Sequence, residues 1–433
     1  MPARRGESRR FPRTGGTPLA CAAALLAAVA VPPRDALAAI SFPGPPEAVG
    51  PNPQSLAAGD FNGDGLPDLV LVSPGRDTLS ILLGAGGGRF GPESLIYADP
   101  EPQSVAVADF NRDGRQDLAV AFGPTADLTV LFGRGDGSFD NFGGFYPTGE
   151  LPRAIAAADL NADGLPDLVT ANESSDDISI LAGLGDGTFA PQRRFPAGDG
   201  PRALAVGDLN GDGIPDLAVA NGGSFDVSIY LGVGDGSLVE RPRVAAGPTP
   251  RSLVMDDLTG DGFADLAVTV QEANAVWILP GRGDGDFGPA RAFAVGLAPE
   301  ALAAADLDGD GLIDLAVANA LSGDVSLLRG APDGDLTLLG HVASGSAPSS
   351  VVIGDFNDDG RRDLAVSNRA SDDVNVILNL GGGAFAGRQV TLVSGDRPWA
   401  PVVGDLNGDG LLDLLVANGV SGDLGVLLGR GHG

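Results

Sequence analysis

The sequence contains no lysine, a single cysteine and two histidines. Every basic residue is an arginine, so a lysine Schiff base or a lysine general base is excluded. Only His341 and His432 could supply an imidazole, which leaves little basis for histidine acid/base catalysis or for a histidine zinc site. The one thiol, Cys21, lies inside an N-terminal apolar run, where a lipid-attachment role is disfavoured by its position near the start of that run. If that segment is removed, neither thiol nor disulfide remains, and an exported chain then needs another staple, for which bound metal is a candidate. Aromatics are also scarce. Trp277, Trp399, Tyr97, Tyr146 and Tyr230 are too few to give a sugar-stacking platform on every repeat, which argues against a lectin of that kind.

Long apolar runs are missing as well. The longest, Leu19 to Val31, spans thirteen residues, whereas a membrane-crossing helix needs about 20. It follows Arg4, Arg5, Arg9, Arg10 and Arg13 and precedes Ala36-Leu37-Ala38, the order of an export signal with a small-residue cleavage site. The expectation is therefore a signal peptide over residues 1–38, a mature chain over 39–433 with no membrane insertion, and a secreted or periplasmic location. Ser8-Arg9-Arg10-Phe11 has the look of a twin-arginine signal, but Pro12 and Gly15-Gly16 depart from it, so the export route stays open. The formal charge of −30 becomes still more negative without residues 1–38, which hold six arginines and two acids. Such an excess opposes nucleic-acid binding.

What is present is repetition. The pattern D-x-[N/D/T]-x-D-G-x-x-D-L begins at Asp60, Asp109, Asp159, Asp208, Asp257, Asp306, Asp355 and Asp405, always 49 or 50 residues apart. Seven residues ahead of each stands a proline: Pro53, Pro102, Pro152, Pro201, Pro250, Pro299, Pro348 and Pro398. Proline suits the first residue of a strand, where its missing N–H costs no ladder bond. Within a unit the short apolar runs 104–108, 117–121 and 128–132 read as strands, a Gly135-Asp136-Gly137 turn follows, and a fourth strand is expected near Phe142 to Pro147. Four-strand units of this period indicate an all-β, eight-bladed propeller, with seven blades as the alternative. The eighth unit ends at Gly433 after its third strand, so Ile40 to Val49 is expected to supply its fourth and close the ring.

Each acidic loop places oxygen ligands at positions one, three, five and nine, with the position-seven carbonyl as a further donor and Gly at six for the sharp turn. All-oxygen sets of this kind suit Ca²⁺. The first loop offers Asp60, Asn62, Asp64, Leu66 and Asp68; the second Asp109, Asn111, Asp113, Arg115 and Asp117; the third Asp159, Asn161, Asp163, Leu165 and Asp167. The fourth offers Asp208, Asn210, Asp212, Ile214 and Asp216. The fifth offers Asp257, Thr259, Asp261, Phe263 and Asp265, with a weaker third-position ligand. Asp306, Asp308, Asp310, Leu312 and Asp314 form the sixth, Asp355, Asn357, Asp359, Arg361 and Asp363 the seventh, and Asp405, Asn407, Asp409, Leu411 and Asp413 the eighth. Position twelve of the first loop is Leu71 and the flanks read as strands, so these are not EF-hands. The metal-free alternative is a set of Asx turns.

In these loops and their register the chain resembles the FG-GAP/VCBS repeat family, whose members include the calcium-binding propeller heads of integrin α subunits. The resemblance covers Ile40 to Gly433 and implies calcium at the loops. It also implies a partner-binding face on the opposite side, where the connections 172–177, 221–226 and 319–324 are expected to form a variable surface. Integrin heads of this family are seven-bladed, whereas eight motifs stand here.

After the prolines, Arg153, Arg202 and Arg251 fall on adjacent units and are expected near the channel mouth, as a basic arc for an acidic ligand or as ordinary partners of nearby carboxylates. Arg134-Gly135-Asp136 and Arg282-Gly283-Asp284 coincide with the recurrent turn, which explains them without an adhesion role. The leading expectation is a monomeric adhesion or ligand-binding module with structural calcium, its partner an extracellular protein or acidic glycan. A calcium-dependent polysaccharide lyase is the second reading, although no catalytic cluster breaks the repeats.

Overall fold

A computed structural model describes residues 47–48 and 55–429 apart from 66–67, 74–76, 84–91, 93, 99–100, 357–358, 372, 387–389, 394–397, 407–408, 419–422 and 428. The export-signal reading, Pro53, Leu66, Asn357, Asn407 and His432 lie outside the described residues. Among these residues the chain forms eight four-stranded antiparallel sheets. Blade 2 is representative, with Pro102–Ala108 innermost, then Asp117–Phe122, Asp127–Gly133 and Phe139–Pro147 outermost. The seven described prolines each open an inner strand, where the lost donor faces away from the ladder.

The second strand explains its own composition. Segments such as Asp117–Phe122 and Asp216–Asn221 are buried at every residue, because neighbouring blades cover both faces, so they read as continuous apolar runs rather than alternating ones. The core is divided into eight apolar clusters, each shared by two adjacent blades. One of them joins Leu69, Leu71 and Leu82 of the first blade to Val402, Leu406, Leu415 and Ala417 of the last. The N-terminal strand completes that last blade, Glu47 opposite Leu424 and Ala48 opposite Asp423. The ring therefore closes on eight blades, and the seven-bladed alternative is set aside.

The blades are of two kinds. Blades 2, 4 and 6 have third strands of seven residues, Asp127–Gly133, Asp226–Gly232 and Asp324–Gly330, and outer strands of eight or nine. Blades 1, 3, 5 and 7 have third strands of five residues and outer strands of four. In blades 3, 5 and 7 the space is taken by a turn carrying a phenylalanine, Phe189, Phe287 or Phe385, bridged back to Gly183, Gly281 or Asn379. Side-chain latches follow the same alternation. Arg193 of blade 3 donates to the Gly236 carbonyl of blade 4 at 2.8 Å, and Arg291 of blade 5 to the Asp333 carbonyl of blade 6 at 2.7 Å.

Candidate metal centre

The second loop shows how the acidic positions divide their work. Asp109 accepts the N–H of Asp113 on Oδ1 (3.1 Å) and of Gly114 on Oδ2 (2.9 Å). Asn111 Oδ1 accepts the Asp113 N–H at 2.9 Å, and Asp113 Oδ1 accepts the N–H of Arg115 at 2.9 Å. Gly114 sits at φ 81°, a conformation that the tight turn requires and that side chains resist. Asp117 is fully buried and accepts two N–H groups, Phe110 on Oδ2 at 3.0 Å and Gly133 on Oδ1 at 2.8 Å. The same double clamp recurs at Asp167, Asp216, Asp314, Asp363 and Asp413. Sequence reasoning gave position nine a ligand's role only; the structure adds that it ties the loop to the end of the third strand. A carboxylate oxygen has a second lone pair, so this duty does not exhaust its donor capacity.

These buried carboxyls are poorly placed for bearing charge alone. Burial pushes Asp363 up to about 8 and Asp413 to about 7, with Asp117, Asp216 and Asp265 at about 6. Their two backbone donors act in the opposite direction, and for Asp363 the neighbouring Asp359 and Asp355 add repulsion. Asp167 and Asp314 are raised for the same first reason. In the sixth loop, carboxylate oxygens of Asp306, Asp308 and Asp314 all lie within 4.8 Å of one another, a group that can hold a metal ion. The donors are hard oxygens around a tight turn, and a cation there would relieve both burial and repulsion, so the residues fit a divalent ion of the calcium type.

The first, second and sixth loops also lie at blade junctions. The Gly-Asp-Gly turn of one blade reaches back to the loop of the blade before it. Gly137 N–H donates to the Phe61 carbonyl at 3.1 Å and Gly187 N–H to the Phe110 carbonyl at 3.0 Å, while in blade 7 Asn379 Nδ2 donates to the Leu307 carbonyl at 2.6 Å. Gly187 lies at φ 82°, and a Cβ there would stand 2.2 Å from the Phe132 ring. Gly187→Ala should therefore destabilise the protein by about 2–4 kcal/mol, read as a lowered denaturation midpoint with an unchanged slope. A midpoint equal to that of the parent would show that the turn does not bear on the neighbouring blade.

On the opposite face the arginines are engaged. Arg153 Nε and Arg202 Nη2 both bind Glu173, the latter at 2.8 Å, and Arg153 Nη1 also reaches Gln103 Oε1 at 3.0 Å. Burial pushes Glu173 up, but the two guanidiniums outweigh it and hold the carboxyl below its ordinary range. Arg251 Nε donates instead to Gln271 Oε1 at 2.9 Å. The arc is thus partly neutralised from within. The connection 172–177 is pinned at its base. Asn172 Nδ2 donates to Asp177 Oδ1 (2.8 Å) and Ser179 Oγ (3.0 Å), and Ser179 Oγ accepts the Gly149 N–H of the preceding linker at 3.0 Å. Asn221, Asp226 and Ser228, and Asn319, Asp324 and Ser326, repeat this network. Sequence reasoning missed it, although the recurrence of Asn, then Asp five and Ser seven residues later, was the available signal. In the Arg134-Gly135-Asp136 turn, Arg134 pairs with Asp140 and Asp136 caps Ser138, as turn chemistry implies.

The model of the FG-GAP-like repeat matches seven times in overlapping register, at residues 60–120, 109–170, 159–219, 209–268, 257–317, 306–366 and 355–416. The chain belongs to the FG-GAP-like repeat family. Each match runs from one acidic loop into the next, so the FG-GAP-like repeat is offset from the structural blade and bridges a junction. Among solved structures, the biofilm matrix protein Bap1 of V. cholerae is similar in fold, with a TM-score of 0.54, 14% identity, and coverage of 88% of this chain and 87% of that one. A protein from Lactobacillus plantarum is similar at TM-score 0.51 and 18% identity, covering 80% of this chain and 97% of its own. No curated protein matches in sequence. Among the described residues no helix is long and apolar enough to cross a membrane.

Proposed function

We propose that this FG-GAP-like protein is an exported ligand-binding module of the adhesion type, in which calcium ions at the acidic loops lock neighbouring blades together. The observation that carries the reading is the placement of the first, second and sixth loops at blade junctions, where the next blade bonds to the loop's own backbone. The holders of calcium would be the side chains at positions one, three, five and nine, with the position-seven carbonyl. When bound, the ion neutralises buried, mutually repelling carboxylates. The fold likeness to a V. cholerae biofilm matrix protein supports an extracellular setting.

The partner, an extracellular protein or acidic glycan, would meet the face opposite the loops. There Arg251 has no acidic partner among the described residues, and Leu297 and Leu321 of blade 6 are exposed. An enzymatic role is not part of the proposal. His341 Nδ1 meets Ser326 Oγ at 3.0 Å, but that serine belongs to the structural network already seen in blades without histidine. Metal analysis of the chain equilibrated with calcium should return seven or eight ions; fewer than four defeats the reading.

A further inference from the structure

The eight loops are alike in sequence but not in construction, and the fifth differs from the rest in three independent respects. First, its hydrogen-bond register is shifted by one residue. In the other seven loops the position-nine carboxylate accepts the N–H of position two, from Phe61, Phe110, Leu160, Leu209, Leu307, Phe356 or Leu406. In the fifth, Asp265 Oδ2 accepts the N–H of position three, Thr259, at 2.8 Å. The displaced donor, Leu258 N–H, turns to the carbonyl of Asp256 at 3.0 Å.

Second, Asp256 itself breaks the repeat. The other seven blades carry Gly or Ala in this place, as at Gly59, Ala108 and Gly207. Asp256 Oδ1 accepts the Asp257 N–H at 2.9 Å, so this residue alone satisfies two N–H groups at the start of the loop. Third, the side chain at position three is withdrawn. In the first, second, third, fourth and sixth loops its oxygen accepts the position-five N–H. Asp261 N–H keeps only a bond to Asp257 Oδ1, at 3.0 Å, which the second, third and fourth loops make in addition to the one to position three. Thr259 is buried, with its methyl set against Gly334 in the turn of blade 6, where a Cβ would stand 2.4 Å from it. A hydroxyl on Cβ also reaches one bond less far than an Asn or Asp oxygen.

We propose that the fifth loop is a clasp closed by the protein's own groups, which joins blade 5 to blade 6 without taking a calcium ion while the remaining loops take theirs. The sixth loop, on blade 6, is built the other way, with three carboxylates converging. Calcium withdrawal then loosens every other described junction and leaves this one, so that the molecule retains one fixed seam.

The inference rests on the calcium reading of the other loops, and counting ions separates the two. Native mass spectrometry of the full chain, equilibrated in calcium and compared with Asp257→Ala and Asp306→Ala, is the test, with Asp257→Asn and Asp306→Asn held in reserve should an alanine variant fail to fold. The parent should carry seven ions, the Asp257 variant the same number, and the Asp306 variant one fewer. The double variant Asp256→Gly/Thr259→Asn, which restores the residues of the fourth repeat, should gain one. Eight ions in the parent, or a loss of one on changing Asp257, overturns the clasp and leaves the calcium reading standing. No gain in the double variant overturns the assignment to these two side chains. A parent that binds none removes the calcium reading and the clasp with it.

Discussion

Chelation of calcium is expected to lower the melting temperature by about 12 °C. An extracellular-type site with a Kd of about 0.1 mM, in about 1 mM calcium, stabilises the folded state by roughly 1.4 kcal/mol, so seven such sites give about 10 kcal/mol. Unfolding a propeller of roughly 390 residues carries an entropy near 0.8 kcal/mol/K, at about 2.1 cal/mol/K per residue, and the quotient is a shift of about 12 °C. The whole stability of a typical domain is only about 5–15 kcal/mol, so the metal-free ring is left with little reserve. Differential scanning calorimetry with excess chelator, and again with calcium restored, measures the shift. Magnesium at equal concentration should recover less, because it favours strict octahedral sites and keeps its waters. A melting temperature that is the same to within about 2 °C with and without chelator contradicts a structural role for the ion.

The second large effect is a reversal of pH dependence. The position-nine carboxyls titrate higher in the folded chain than in the unfolded one, with Asp363 at about 8, Asp413 at about 7 and Asp117, Asp216 and Asp265 at about 6. Between about pH 4, where an unfolded aspartate titrates, and those values, the folded state holds more protons than the unfolded. Stability of the metal-free protein must then fall as pH rises through this window, the contribution being largest below pH 4 and lost above about 8. A bound cation takes the place of the proton, so in calcium the fall should disappear. Melting curves at pH 5, 6, 7 and 8 are expected to diverge, the stabilisation by calcium growing with pH. If the chelated protein became more stable from pH 5 to pH 8, these carboxyls could not be setting its stability.

The sequence was informative wherever a local rule repeats. Proline at the head of each inner strand, the Gly-Asp-Gly turn and the acidic loop each follow from backbone chemistry within a few residues. The short apolar runs between them placed the first three strands of blade 2 to within about two residues, while the fourth begins earlier, at Phe139. Even ring closure by the N-terminal strand was legible, because the last repeat is one strand short. What escaped was everything that depends on the neighbouring blade. Nothing in Arg153 or Arg202 announces that one glutamate, Glu173, lies between them, since it comes from the end of a second strand. Asn172 and Asp177 looked like the ends of a free loop until the Gly149 linker was seen beside them. The shifted register of the fifth loop is likewise invisible, as it turns on which of two adjacent N–H groups faces a buried carboxylate.

The alternation of long and short blades bears on how such a ring can be resized. Neighbours differ in kind all the way along the described seven, and the latches from Arg193 and Arg291 run from a short blade to the long one that follows. Remove one blade and two of the same kind must meet, with a latch lacking its receiver or a receiver lacking its latch. Remove or add two, a segment of 98 or 99 residues, and the alternation along the described seven is kept. Along the described seven blades the natural step of growth is therefore the pair.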